Sequence, residues 1–111
     1  MLHLITVEKD QEVLATIGTA LAELGVTAGS MTLIGAVQTA TVSVMKKDDA
    51  LTDYLRTYDQ PLELSGTGEI WDGKPHIHVT LYAEDFVTGG HLHSATVRDF
   101  FVHAYITPLT S

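Results

Sequence analysis

Gly73-Lys74-Pro75-His76-Ile77-His78-Val79-Thr80-Leu81-Tyr82 is the stretch on which the reading of this chain turns. Side chains of a strand alternate between its two faces. Ile77, Val79 and Leu81 therefore predict a core side, and His76, His78, Thr80 and Tyr82 share the opposite side. Asp72-Gly73, just upstream, is a strong two-residue hairpin signal. It joins this strand to the segments 62–65 and 67–71, which flank Gly66 and also read as strand. Downstream, Gly89-Gly90 reads as a turn, with His91 and His93 following it.

Working back toward the N-terminus, Leu2 to Val7 reads as a first strand. Asp10 is an N-cap residue type, and Glu12 lies in the first helical turn, where a carboxylate suits the helix dipole. Val13, Leu14, Ile17, Ala20, Leu21 and Leu24 then recur at helical spacing, which predicts a helix over 11–24. Gly25 ends it, and Val26 closes the hydrophobic contact behind. Segments 31–37 and 39–45 are rich in Val, Ile and Thr and read as strands. Lys46 to Asp49 reads as a solvated connection, Ala50 to Tyr58 as a short helix or an irregular arm, and 96–106 as a last strand. The pattern predicts one α+β domain spanning 1–111, with a mixed, largely antiparallel sheet and one main helix packed on it.

A domain of 111 residues buries about 65% of its unfolded surface, enough for a core without covalent staples. The absence of cysteine excludes disulfides, thiolate–metal sites and thiol catalysis, and suits a reducing compartment. The first residues lack a basic segment followed by an apolar run, and no apolar stretch approaches the roughly 20 residues of a membrane span. A cytoplasmic location is expected. Fourteen acidic against six basic residues give a net charge of −8. Nucleic acid binding depends on Lys and Arg neutralising phosphates, and here only Lys46-Lys47 are adjacent, with Asp48-Asp49 directly after them.

His76 and His78 stand roughly 6–7 Å apart at Cα on one strand face, within reach of a common ion at Zn–N bonds of about 2.0–2.1 Å. A third ligand has to come from elsewhere, and His91 after the glycines is placed to supply it. Three histidines plus water would form an open metal site, with zinc the first expectation. Glu69, Asp72, Glu84, Asp85 and His93 are candidates for acid–base or supporting work around it. The plainer alternative is a set of surface or interface histidines bonded to carbonyls and carboxylates. His3 and His103 belong with that alternative. The chain has no G-x-S-x-G elbow, H-E-x-x-H helix or phosphate-binding glycine loop ahead of a helix.

Residues 62–70 (Leu-Glu-Leu-Ser-Gly-Thr-Gly-Glu-Ile), 73–79 (Gly-Lys-Pro-His-Ile-His-Val) and 89–92 (Gly-Gly-His-Leu) together resemble the PCC (or PPC) domain, the plants and prokaryotes conserved family. Gly25 to Ser30 and Ile34 to Val37 are similar to its helix exit and following strand. The resemblance runs in order over nearly the whole chain. It implies a sheet carrying helices, assembled as a homotrimer, in a family whose members are often labelled DNA-binding and whose plant relatives carry AT-hooks. This chain has no Arg-Gly-Arg hook core, Ala95 stands where glycine is usual, and Val102 stands where a glutamate is common. The resemblance implies a regulatory or interaction module labelled DNA-binding by family, while the acidic charge and the missing hook count against direct DNA contact. The alternative from the residues is a His-ligated, metal-dependent small-molecule binding protein or enzyme.

Overall fold

Alternating apolar residues build six strands, and one helix closes over the face they make. The computed structural model describes residues 1–109. The elements are β1 (His3–Val7), α1 (Val13–Leu24), β2 (Gly29–Lys46), β3 (Asp49–Trp71), β4 (Lys74–Tyr82), β5 (Val87–Thr96) and β6 (Val102–Pro108). The sheet order is β1-β6-β2-β3-β4-β5, and β5 also pairs with β2. The pairings β2–β3–β4–β5–β2 thus close a ring, which removes free edges from the strands that carry the histidines.

Every strand pairing among the described residues is antiparallel, so the expected mixed character is corrected. The reason lies in one insertion. The helical crossover leaves β1 and β2 running in the same direction, as a parallel pair would, but β6 occupies the place between them. It pairs antiparallel with both, through Leu4↔Tyr105 on one side and Thr32↔Tyr105 on the other. The α+β reading holds in the broad sense of an antiparallel sheet with one small helical element.

The helix begins two residues later than Asp10 suggests. Glu12 is the cap: its side chain accepts the N–H groups of Leu14 and Ala15 at 3.0 and 2.8 Å, and its Oε2 also accepts that of Ala95 at 3.0 Å. One carboxylate therefore caps the helix and ties it to β5. Asp10 instead turns the chain at a φ of 68°. At the far end Gly25 is left-handed, and the Val26 N–H reaches the Leu21 carbonyl at 3.0 Å, as its sequence position predicts. Val13, Ile17 and Leu21 are fully buried and share one core cluster with Ile77, Leu81, Leu92 and Val102. Glu12→Ala should lower stability by about 1–3 kcal/mol, because cap and strand tie go together. Urea unfolding monitored by far-UV circular dichroism measures it.

Ala50 to Tyr58 is neither helix nor irregular. It is the outer half of β3, paired from Asp53↔Met45 to Asp59↔Thr39 with β2 in a long ribbon whose β2 strand also pairs with β5 from Thr39 to Ser43. Alternating Tyr54, Arg56 and Tyr58 suit a strand, and Asp49 fastens the turn by accepting from Leu51 N–H and Thr52 Oγ1. The expected final strand is interrupted: β5 ends at Thr96, and β6 starts at Val102. The Asp72-Gly73 hairpin forms as expected, with both residues at positive φ.

Candidate metal centre

The register of β3, β4 and β5 assembles the site on the sheet face opposite the helix. On β4, Ile77, Val79 and Leu81 are buried while His76 and His78 are exposed, as their alternation predicts. His78 lies opposite His91 of β5 and Thr67 of β3, and His76 lies opposite Glu69 of β3. The ring centroids of His76 and His78 are 5.1 Å apart, and His91 is 4.8 Å from His76 and 5.9 Å from His78. One ligand nitrogen from each of the three lies within 4.8 Å of the others.

Gly89 and Gly90 make no turn. They lie inside β5, opposite Thr80 and Val79, and the turn comes earlier, where Ala83 N–H reaches the Phe86 carbonyl at 2.9 Å. Their lack of side chains serves the crowding of β5 between two strands. A Cβ on Gly89 would overlap the Val79 carbonyl oxygen, and one on Gly90 would overlap that of Ser43. Gly90 also has a φ of 152°. His91 follows directly and pairs opposite His78, which is how a residue from a separate strand joins the His76–His78 pair.

His93 is diverted. The β2–β5 register shifts between Thr41 and Val42, so His93 is the extra residue of a β-bulge. Its Nε2 lies 2.7 Å from Oγ of the buried Ser43, and its ring stays 4.9 Å from that of His91. It sits beside the triad as a supporting group. Glu69 Oε1 is 3.8 Å from His76 Nδ1. That is beyond hydrogen-bond range, though close enough for a small side-chain movement to make the bond by which a carboxylate orients a ligating imidazole. Asp72 is at the β3–β4 hairpin, and Glu84 and Asp85 lie past the opposite end of β4, so the fold does not gather these three at the triad. His3 and His103 lie on β1 and β6, apart from it.

Burial is the largest influence on His91 and lowers its pKa; the neighbouring His76, His93 and His78 lower it further, and Asp53 opposes them. Asp53 comes from the β2–β3 ribbon, and sequence reasoning gave no signal for it because its place depends on ribbon register. A depressed His91 is neutral at pH 7, the state in which imidazole ligates a metal.

The donor set fits a divalent ion. A tetrahedral ion at about 2.05 Å would hold its nitrogens roughly 3.3 Å apart, so modest ring rotation closes the set. Imidazole suits zinc, copper, nickel or iron, and the exposure of His76 and His78 leaves a side open to solvent.

Comparison with known proteins agrees with this architecture. The family model described as the Plants and Prokaryotes Conserved (PCC) domain matches residues 1–110. A metal-containing protein from Archaeoglobus fulgidus is similar over 100% of this chain and 81% of its own, with 31% identity and a TM-score of 0.84. A plant- and prokaryote-conserved protein from Pyrococcus horikoshii superposes over 100% of this chain and 80% of its own, at 23% identity and a TM-score of 0.87. A candidate DNA-binding protein from Ralstonia eutropha JMP134 matches over 97% and 78%, with 25% identity and a TM-score of 0.83. No curated protein matches the chain.

Proposed function

The chain belongs to the Plants and Prokaryotes Conserved domain family, and on that premise we propose that it is a homotrimeric protein whose His76, His78 and His91 hold a divalent metal, zinc first. The observation that carries this reading is the convergence of three ligand nitrogens, from two strands, within 4.8 Å. A relative 31% identical over the whole chain is a metal-containing protein, which supports it. Such an ion, when bound, would supply Lewis acidity to a small ligand or water on its open side. The chain's own residues would do the rest. His76 and His78 would hold the front of the site, His91 the back, Glu69 would steady the His76 ring, and His93 would stand ready to share a proton with Ser43.

Elemental analysis of purified, untagged protein tests the reading, alongside its molecular mass in solution. About one divalent ion per chain is expected, removed by chelator and restored by zinc. Metal-free protein that takes up no zinc at neutral pH would end it.

A regulatory role is a second reading, favoured by the candidate DNA-binding relative. Direct DNA contact is a weak form of it, given the charge of −8 and the absence of an AT-hook core. The electrostatic part of DNA binding is strongest at low salt. A filter-binding series from low to physiological salt should therefore show no retention of duplex DNA at any point. Binding that weakens steeply with added salt would restore direct recognition. No helix is long and apolar enough to cross a membrane among the described residues.

A further inference from the structure

The open face of the sheet carries a second feature, at the other end of β4 from the histidines. Tyr82 is four residues beyond His78, about 13 Å along the strand. There the strands and the β5–β6 link border a cleft of about 870 Å³. Its walls are apolar and aromatic, from Ile34, Tyr82, Phe100 and Phe101, and its charged residues are Glu63 and Glu84. No lysine or arginine lines it among the described residues.

The link that forms one wall is held in place deliberately by the chain. Gln38 sits at the bulge between Val37 and Thr39 and clamps it: Oε1 accepts the N–H groups of Arg98 and Asp99 at 2.6 and 2.8 Å, and Nε2 donates to the Asp99 carbonyl at 3.2 Å. Ala36 N–H adds a bond to the Phe101 carbonyl at 2.9 Å, beside Gly35, where a Cβ would collide with that same oxygen. Phe100 is thereby fixed at a φ of 78°, a strained conformation for a bulky residue, with 79% of its surface exposed. Phe101 stacks on His103, centroids 4.2 Å apart. The fold spends conformational strain to present an aromatic ring to solvent at the edge of a cleft.

We propose that this cleft binds a small organic cation, an ammonium or guanidinium carried on an apolar or aromatic body. The volume suits a small molecule. Aromatic faces attract cations, and among the described residues the acidic and basic side chains on the lining are the two carboxylates and His103. The cleft stands apart from the histidine triad, so its occupancy does not require metal.

The test is titration of the full-length, ¹⁵N-labelled protein with 2-phenylethylammonium, followed by amide chemical shifts. 2-Phenylethanol and 3-phenylpropionate serve as neutral and anionic counterparts. Saturable shifts at Ala36, Ala83 and Phe101 are expected in the millimolar range, as for a small fragment. The alcohol should bind about fivefold more weakly and the anion should not saturate. Glu63→Gln with Glu84→Gln should reduce the cation to the affinity of the alcohol while leaving the alcohol unchanged. Phe100→Gly relieves the backbone strain, so it should keep or raise Tm while weakening both the ammonium and the alcohol. His78→Ala should leave the titration as it is, whether or not metal is bound. Absence of saturable shifts, equal binding of the anion, a charge preference that survives the double substitution, or cleft amides shielded by another copy would each overturn the proposal.

Discussion

Gly90→Ala is expected to lower the melting temperature by about 12 °C or more, at fixed protein concentration. The added methyl would overlap the Ser43 carbonyl oxygen, a backbone atom of the neighbouring strand that no side-chain rotation can move. The φ of 152° adds strain for any residue with a Cβ. Overlap and strain together amount to about 3 kcal/mol. A domain of this length loses roughly 4 °C for each kcal/mol. Gly18→Ala makes the same chemical change within α1, where a Cβ meets nothing within 4 Å. It should stabilise the fold by about 0.5–1 kcal/mol. Thermal unfolding of the two variants beside the parent measures both, and a Gly90→Ala protein as stable as the parent would show that β5 does not lie so tightly against β2.

His78→Ala should weaken zinc binding by about 10²-fold while leaving the metal-free fold within about 0.5 kcal/mol of the parent. Structural zinc sites with four ligands contribute roughly 10–16 kcal/mol, about 3 kcal/mol per ligand, and each 1.4 kcal/mol is tenfold. The fold is spared because the His78 side chain lies on the exposed face and bears no core contact. His93→Ala removes an adjacent imidazole that faces Ser43 instead, so it should retain metal. Competition with a zinc indicator gives both affinities. Equal losses from the two substitutions would mean that the triad is wrongly chosen.

Acid should release the metal from the parent. Each ligand must be neutral, so affinity falls as pH drops below the ordinary imidazole value of about 6.5. Burial lowers the pKa of His91, so its imidazole stays neutral to lower pH than an ordinary one. For the metal-free protein the sign follows from linkage. A base whose pKa is depressed on folding binds its proton more readily unfolded, so its contribution is present above the unfolded value and is lost as pH falls.

The local readings succeeded where neighbours in sequence decide the outcome. The alternation around His76 and His78, the Asp72-Gly73 turn and the close of α1 at Gly25 depend on a few adjacent residues and on backbone preferences. Where a distant strand decides, they went astray. Ala50 to Tyr58 has no strong period of its own and becomes strand because β2 offers it a ladder. Asp10 yields its cap to Glu12, since only Glu12 can also reach the Ala95 N–H, 83 residues away.

Gly89-Gly90 and the histidines around it divide the two kinds of knowledge most clearly. Sequence alone determined that His76 and His78 share a face, and it marked His91 and the glycines before it, because period and composition travel with the chain. Only the tertiary structure decided that the glycines lie within a strand, that His91 pairs opposite His78, and that the bulge turns His93 to Ser43. These outcomes rest on the spacing and register of three strands paired across long stretches of sequence, and register is a property of the pairing, fixed only when the strands meet.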